Sequence, residues 1–369
     1  MYLLNPHSLD MFKTPVAYKL VGKKPLRKYE AFFDAFIESG GKLLFDFSET
    51  SFSRVSKFWI VLWPLIFCEV LIWVIFNGVP LSKVRFYSRK HESLLIFTYK
   101  GATEKNFIKL HFLDRARTVF WHFSHYMIRT GEKSDFIKPY SDKSVVMADS
   151  DIRENLLFRK YFPFLSGRPL LLCPFVPAGR FLISKNFRDR ESEKIYASGT
   201  HHNLRDDYES QDAVKVFDRY SHHYLREEIA NTHHDWIDNG LGAFGEQVGA
   251  GEARYFKRDL VETFNSYSLV VCGDELCGLP AISNFEAMAC GAMPIVKSEN
   301  YAGLGLEAGI HYLEHDGTVE SLRKFLPVCN EDFNVGLARR CDISRHLLRI
   351  VDSCINSISE YDHINSERG

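Results

Sequence analysis

Two carboxylates, Glu275 and Glu286, lie on either side of a short loop that contains Gly278. The residues from 270 to 296 predict a strand, this loop, a helix, a tight turn and a second strand. A glycine-bearing loop that leads into a helix N-terminus favours anions, because the free backbone N–H groups and the helix dipole both attract negative charge. An ionised carboxylate only accepts hydrogen bonds, which suits the hydroxyl groups of a sugar or a ribose. The pattern therefore predicts a site for a ligand that combines phosphate with a polyol.

The same residues resemble the donor-site signature of the retaining GT-B glycosyltransferases, in which Glu-x-Phe-Gly-Leu-Pro is followed by Leu-Glu-Ala-Met-Ala-Cys-Gly-x-Pro-Val-Ile. Residues 275–280, Glu-Leu-Cys-Gly-Leu-Pro, resemble the first half. Residues 285–296, Phe-Glu-Ala-Met-Ala-Cys-Gly-Ala-Met-Pro-Ile-Val, resemble the second half. The family usually has seven residues between its two glutamates and this chain has ten, so the connection around residues 281–284 is longer here.

The resemblance implies an α/β protein of the GT-B fold, in which two Rossmann-like domains face each other across a cleft and a C-terminal helix returns to the first domain. It implies an acceptor-side domain at residues 1–180, a domain that binds a nucleotide sugar at residues 181–335, and the returning helix at residues 336–369. A linker rich in proline and glycine near residues 174–190 fits the first boundary.

In the family that the chain resembles, the second glutamate of the signature binds the nucleotide ribose and the first contacts hydroxyl groups of the donor sugar. Glu286 is therefore expected to bind the ribose and Glu275 to act at the sugar. Gly278 and Leu279 are expected in the donor-binding loop between them. A helix N-terminus that packs small residues on a sheet, with no ligand, is the alternative interpretation of the second half of the signature.

A second group of donor-binding residues is predicted at the start of the second domain. Residues 194–197 predict a strand, and Gly199, Thr200 and His201 follow it. In GT-B enzymes this turn faces the donor phosphates, so the small residues would admit the phosphates and His201 would reach one of them. A turn that only ends the strand is the alternative.

Two histidines of the first domain are candidates for contact with the donor sugar. His122 and His125 lie at the end of a predicted strand over residues 118–123. In GT-B families a histidine after a strand of the first domain often touches that sugar. The alternative for either residue is a buried histidine of the core or of the contact between the domains.

The function implied by the resemblance is transfer of a sugar from a nucleotide-activated donor to a growing glycan, a lipid-linked acceptor or another surface polysaccharide, with retention of configuration. The nucleotide sugar is then a co-substrate, and no further cofactor is expected. No Asp-x-Asp pair follows a predicted strand as metal-dependent transferases require; Asp149-Ser150-Asp151 has the spacing, but it precedes a predicted helix. A non-catalytic GT-B-like subunit that scaffolds a polysaccharide assembly complex is the alternative from another class.

Composition limits the remaining choices. The chain has 46 Lys and Arg against 47 Asp and Glu, so no overall basic field favours nucleic acid as a partner. No Gly-x-Gly-x-x-Gly follows an early strand, which argues against a dinucleotide-binding dehydrogenase.

The eight cysteines and the paired histidines at residues 222–223 and 233–234 lack the spacing of a tetrahedral metal site. Because the N-terminus also lacks the pattern of an export signal, the sequence predicts a cytoplasmic protein, with peripheral attachment to the inner face of the membrane as a further expectation.

The segment from Phe58 to Phe76 is apolar except for Glu69. Pro64 favours a buried strand that ends near Trp63 and a helix that starts at the proline. A helix on a membrane surface and a membrane span are the alternatives. Basic residues on both sides of the segment suit anionic headgroups, and they are Arg54, Lys57, Lys83, Arg85, Arg89 and Lys90.

Strands and helices are predicted to alternate along the chain, which indicates parallel sheets covered by helices. The strands predicted in the first domain are residues 42–47, 58–63, 94–99, 118–123, 144–147 and 170–172. The predicted helices include residues 26–39, 151–160, 254–264, 319–325 and 335–358.

Overall fold

The computed structural model describes residues 1–6, 12, 28–45, 59–86, 92–98, 110–124, 126, 130–186, 189–201, 224–243, 259–273, 278–326 and 336–367. The chain forms two compact units. The first unit consists of residues 1–148, 159–173 and 350–369, and the second consists of residues 149–158 and 174–349. The domain boundaries that the sequence predicted at residues 180 and 335 stay predictions. The predicted cleft between the two domains also stays a prediction.

The first unit contains a seven-stranded sheet in which every described pairing is parallel. Its spatial order is β3-β2-β1-β4-β5-β6-β7, so the first strand of the chain lies near the centre. The order reverses between β1 and β4, which is the arrangement of a doubly wound Rossmann sheet. The strands are β1 (Tyr2–Leu4), β2 (Lys42–Leu44), β3 (Val84–Arg85), β4 (Leu94–Phe97), β5 (Val119–Phe123), β6 (Ser144–Ala148) and β7 (Leu170–Leu172).

Helices accompany this sheet, and aromatic side chains fill the core next to it. Phe12, Tyr29 and Phe97 are almost wholly buried, and the ring of Phe12 meets that of Phe97 edge to face with centroids 4.7 Å apart. Such aromatic contacts add stabilisation beyond the burial of apolar area. The helices of the first half of the chain are α1 (Glu30–Glu38), α2 (Trp59–Phe76), α3 (Leu110–Arg115), α4 (Thr130–Ile137) and α5 (Leu156–Tyr161).

The second unit contains a five-stranded parallel sheet of order β10-β8-β12-β13-β14 and a small pair, β9 with β11. The strands are β8 (Glu191–Ala197), β9 (Thr200–His201), β10 (Ile237–Asn239), β11 (Gly242–Ala243), β12 (Tyr267–Val271), β13 (Met293–Val296) and β14 (Leu313–Glu314). The helices are α6 (Tyr224–Asn231), α7 (Leu260–Ser266), α8 (Ile282–Ala289), α9 (Glu320–Arg323), α10 (Leu337–Cys341) and α11 (Ile343–Glu367). Two parallel sheets therefore confirm the predicted α/β class.

The strand predicted over residues 58–63 is wrong. The structure has a single helix, α2, from Trp59 to Phe76, with Pro64 inside it. An unbroken apolar run has no period that separates a strand from a helix, and the proline suggested a start that the helix does not use. In the part of the chain that the structure describes, no helix combines the length and the apolar character that a membrane span requires.

The helix predicted over residues 151–160 begins later, at Leu156, because a different residue caps it. Asn155 accepts hydrogen bonds from the backbone N–H groups of Leu157 at 3.0 Å and Phe158 at 3.3 Å. The Asp151 carboxylate accepts one from the N–H of Arg153 at 3.1 Å and closes a separate turn. Both residues satisfy backbone donors at a chain turn, but only Asn155 does so at a helix start.

The C-terminal helix α11 belongs to the second unit up to Arg349 and to the first unit from Ile350. Its return to the first domain was implied by the resemblance. Near its end, Asp362 accepts hydrogen bonds from Ser93 at 2.7 Å and from Arg117 at 2.5 Å. These two residues precede β4 and β5, so the helix is tied to the amino-terminal edge of the first sheet.

Replacing Asp362 with asparagine is expected to destabilise the protein by about 1–3 kcal/mol at neutral pH, because hydrogen bonds to a charged group are lost. Burial raises the pKa of the Asp362 carboxyl, but hydrogen bonds from Ser93 and Arg117 outweigh burial and hold the pKa below its ordinary value. The stabilisation that the ionised Asp362 carboxylate gives to the folded protein is therefore present above the ordinary pKa of aspartate. It is lost as the pH falls through the lower pKa of the folded state. Urea unfolding at neutral and acidic pH measures it, with the exposed Glu360→Gln on the same helix as control. Equal stability of the two variants at neutral pH would contradict the expectation.

Candidate functional site

The second sheet reverses its strand order between β8 and β12. In open parallel sheets, ligands bind outside the carboxyl ends of the strands at such a reversal, because the two following connections run apart and leave a crevice. The connections here begin with Ser198 and Gly199 after β8 and with Cys272 and Gly273 after β12. Topology alone therefore places the candidate site at the edge where the sequence predicted donor-binding loops.

Glycines allow the two connections to approach each other. Gly199 has φ +119° and Gly273 has φ +60°, values that side-chain-bearing residues rarely adopt. The backbone N–H of Ser198 donates to the carbonyl oxygen of Val271 at 3.0 Å. A Cβ atom at Gly273 would lie 2.7 Å from Nε of Arg226, and one at Gly199 would lie 3.2 Å from its Cζ. Both positions therefore require glycine.

Arg226 lies against both glycines, and sequence reasoning did not single it out. It belongs to α6 and is only 6 % exposed. Its Nε donates to the carbonyl oxygen of Cys272 at 2.6 Å, and its Nη2 donates to that of Gly273 at 3.3 Å. A buried guanidinium is thus fixed against the connection that follows β12. The sequence signal was weak, because the arginine stands next to the buried stripe of Leu225 and Ile229 on an ordinary amphipathic helix.

The connection after β12 leads to the N-terminus of α8, where the N-cap residue is Ala281, whose side chain cannot accept a hydrogen bond from the helix. Asn284, the third residue of α8, is fully buried. Its Nδ2 donates to the carbonyl oxygen of Gly273 at 3.3 Å and to the hydroxyl of Tyr301 at 2.6 Å. Within the described residues, its Oδ1 has no hydrogen-bond partner. Asn284 therefore joins the connections that follow β12 and β13. Its Oδ1 lies at the N-terminal end of α8, where the backbone N–H groups favour anions.

The second glutamate of the signature lies two residues further along the same helix. Glu286 is the fifth residue of α8 and is 3 % exposed. The helix begins at Ile282, so Glu286 occupies its second turn and does not begin the helix. Gly278 precedes α8 with φ +66°, and the side chain of Leu279 is fully buried. Gly278, Leu279 and Glu286 are thus all placed on the stretch that connects β12 to the middle of α8.

Some predicted site residues are placed only in part. Glu275 and His125 lie outside the described residues. Thr200 and His201 form β9, whose backbone pairs in parallel with β11. The functional roles of these four residues stay predictions. The same holds for the roles of Glu286, Gly278, Leu279 and Gly199.

His122 is described and lies inside the first unit. It is fully buried on β5, its ring stacks on that of Phe97 with centroids 4.2 Å apart, and its Nε2 is 3.3 Å from the carbonyl oxygen of Cys173. Burial lowers the pKa of His122 to about 3, because the charged imidazolium would lose its hydration. The imidazole is therefore neutral at physiological pH.

Two of the groups considered as metal ligands pair with other side chains. His233 is paired with Asp235 at 3.0 Å on the surface, and Asp151 is paired with Arg153 at 2.5 Å. Residues 222–223 lie outside the described part. Among the residues that are described, no three His, Cys, Asp or Glu side chains form a group suited to a metal ion.

Comparison with known proteins identifies the fold. No protein-family model matches the chain, and no curated protein sequence matches it. The solved structure of HepE from Anabaena in complex with UDP and glucose is similar at 12 % identity, with a TM-score of 0.50, over 98 % of this chain and 99 % of that chain. The structure of HepE with UDP alone is similar at 13 % identity, with the same TM-score and coverage. The likeness extends over both units and shows a GT-B glycosyltransferase fold.

Proposed function

We propose that the protein is a glycosyltransferase that moves a sugar from a nucleotide-activated donor to a glycan or lipid-linked acceptor. The observation that carries the proposal is the convergence at one edge of the second sheet. Two glycine-bearing connections, the buried guanidinium of Arg226 and the N-terminus of α8, which has Ala281 as its N-cap residue, meet where the strand order reverses. These groups supply backbone N–H donors and positive charge, which is what a diphosphate needs.

The nucleotide-sugar part of the proposal draws on the similar structures and on the signature. HepE was solved with UDP and with glucose, and it has the same fold over almost the whole chain. Glu286 lies on the helix that leaves the diphosphate site, at a distance along the chain that suits the ribose of the same nucleotide. Since an ionised carboxylate accepts hydrogen bonds from two adjacent hydroxyl groups, we assign ribose binding to Glu286.

The remaining roles follow from the chemistry of the leaving group. As the bond from sugar to diphosphate breaks, negative charge grows on the diphosphate, and fixed N–H groups and cations stabilise that charge. We assign this task to Arg226, to Gly199, Thr200 and His201, and to the α8 N-terminus with Gly278 and Leu279. We assign contact with the sugar to Glu275 and His125, because the ring of His122 is fully buried against Phe97. Transfer then proceeds with retention, without a metal and without a cofactor besides the donor.

The scaffold alternative draws on the longer spacing between Glu275 and Glu286 and on the apolar segment from Phe58 to Phe76, but the geometry of the second sheet does not favour it. A non-catalytic subunit has no need for positive charge and glycine connections at the strand-order reversal. A donor screen decides between the two functions: thermal unfolding is followed with each nucleotide sugar in turn. A ligand at about 100 times its Kd adds roughly 2.7 kcal/mol to stability. Slow hydrolysis of the donor that stabilises the protein supports the transferase, and stabilisation by none of them contradicts it.

Replacing Glu275 with alanine is expected to lower the hydrolysis rate of that donor by about 10–100-fold and to leave nucleotide affinity within about twofold, because its predicted contact is with the sugar. Rates are measured by release of free sugar, and affinity by calorimetric titration with the nucleotide diphosphate. Asp235→Asn is the control, because Asp235 is a surface carboxylate of the second unit that pairs with His233. A variant that loses nucleotide affinity and retains its rate would reverse the assigned roles.

A further inference from the structure

Helix α2 is fixed to the first unit by one of its faces. Val70, Trp73 and Val74 are at most 4 % exposed. The indole ring of Trp73 meets the rings of Phe33 and Phe45 at centroid distances of 6.2 and 6.0 Å. Phe33 belongs to α1 and Phe45 follows β2, so α2 covers this part of the sheet as an ordinary packed helix does.

The opposite face of α2 is apolar and exposed. Cys68, Ile72, Ile75 and Phe76 recur at helical spacing, and the exposed fractions of the last three side chains are 44, 65 and 44 %. Leu81, just beyond the helix, is 59 % exposed. A surface helix ordinarily places charged or polar side chains outward. All described residues of α2 that are exposed are apolar, so this face, called here the apolar face, is suited to a partner that removes it from water.

Positive charge accompanies the apolar face. From Arg54 to Lys90 the sequence has six Lys or Arg residues and one acidic residue, Glu69, although the whole chain has a net charge of −1. Lys83 and Arg85 lie two and four residues beyond Leu81 in the sequence. The guanidinium of Arg85 donates to the backbone carbonyl oxygens of Ser82 and Val84. Within the described residues, neither Lys83 nor Arg85 is paired with a carboxylate.

An anionic lipid bilayer is the partner that fits both properties at once. Aliphatic and aromatic side chains on one helix face enter the boundary between headgroups and acyl chains, while Lys and Arg remain among the headgroup phosphates. Each such cation near an anionic surface strengthens binding several-fold. A nucleic acid would satisfy the cations but would leave Ile72, Ile75 and Phe76 in water. We propose that the apolar face of α2, together with Lys83 and Arg85, binds the surface of an anionic bilayer.

The proposal is independent of sugar transfer, since none of its residues lies in the second unit. It places the first unit, the acceptor-side unit in the assignment above, at a lipid surface. A lipid-linked acceptor would then be reached by diffusion within the bilayer plane. Donor hydrolysis in the absence of lipid does not involve this face, so the two proposals fail separately.

Co-sedimentation of the full chain with vesicles tests the proposal. We expect binding to vesicles of phosphatidylcholine with phosphatidylglycerol, weaker binding at high salt because the cations are screened, and little binding to phosphatidylcholine alone. The double variant Ile72→Gln/Ile75→Gln should lose about tenfold or more in partitioning, because two apolar side chains no longer enter the bilayer. The double variant Lys83→Gln/Arg85→Gln should lose about tenfold at low salt and little at high salt.

Leu182→Gln is the matched control, because Leu182 is an exposed leucine of the second unit with 63 % exposure. It should bind vesicles as the unchanged protein does. Circular dichroism and donor hydrolysis without lipid should be equal in all variants, which excludes unfolding as the cause. Absence of binding to anionic vesicles at low salt overturns the proposal. Undiminished binding by the Ile72→Gln/Ile75→Gln variant also overturns it. So does a protein that binds no vesicles but forms a dimer, if the same variant is a monomer.

Discussion

Replacement of Asn265 with leucine is expected to lower the free energy of unfolding by about 3 kcal/mol or more. Asn265 is fully buried at the end of α7. Its Oδ1 accepts hydrogen bonds from the backbone N–H of Ser184 at 2.7 Å and from Nη2 of Arg190 at 3.3 Å. Its Nδ2 donates to the carbonyl oxygens of Leu182 and Val261, both at 2.9 Å. Each buried group left without a partner costs about 1–3 kcal/mol, and leucine satisfies none of them.

Urea unfolding of the Asn265→Leu and Asn265→Asp variants measures the effect. Aspartate keeps the acceptor for Ser184 and Arg190 but loses both donated hydrogen bonds, so it should destabilise less than leucine. Because Asn265 ties residues 182–185 to α7, the leucine variant should also become sensitive to proteolysis in the segment that precedes β8. Equal stability of the leucine variant and the unchanged protein would show that this network is dispensable.

The sequence predicted those parts of the fold whose secondary structure follows from the local pattern of apolar and polar residues. The strands β5 and β6 are short, mostly apolar runs followed by polar residues, β7 is an apolar run preceded by a proline, and all three occur where the pattern placed them. The segment from β12 through α8 to β13 also has the predicted order. Most residues of its two strands and its helix are small or apolar, because these elements are buried in a parallel sheet.

The missed features depend on contacts between residues far apart in the sequence. Arg226 is fixed by the carbonyl oxygens of Cys272 and Gly273, which no local pattern around α6 could indicate. The strand β1 (Tyr2–Leu4) was not predicted, because three residues show no period, yet it pairs on both sides in the sheet. The apolar run at Trp59 was assigned to a strand, and packing of Trp73 on the core instead holds it in a helix.

Replacement of Glu286 with alanine is expected to weaken nucleotide binding by about 1.5–3 kcal/mol, which corresponds to about 10–150-fold in Kd. The physical reason is the loss of hydrogen bonds between a charged carboxylate and the ribose hydroxyl groups. Burial strengthens such hydrogen bonds, since the 3 % exposed Glu286 lies where water screens little. Calorimetric titration with the nucleotide diphosphate of the donor found in the screen measures the change.

Two comparisons make the Glu286 result specific. Glu286→Gln keeps the shape of the side chain and retains part of the binding through its amide oxygen, so its Kd should fall between those of the alanine variant and the unchanged protein. Glu193→Gln removes an exposed carboxylate from the first half of β8, away from the carboxyl end where the site lies, and should bind the nucleotide normally. If the alanine variant unfolds with the same urea midpoint as the unchanged protein and still binds the nucleotide with unchanged affinity, Glu286 does not contact the ribose. The donor site would then have to be sought away from α8.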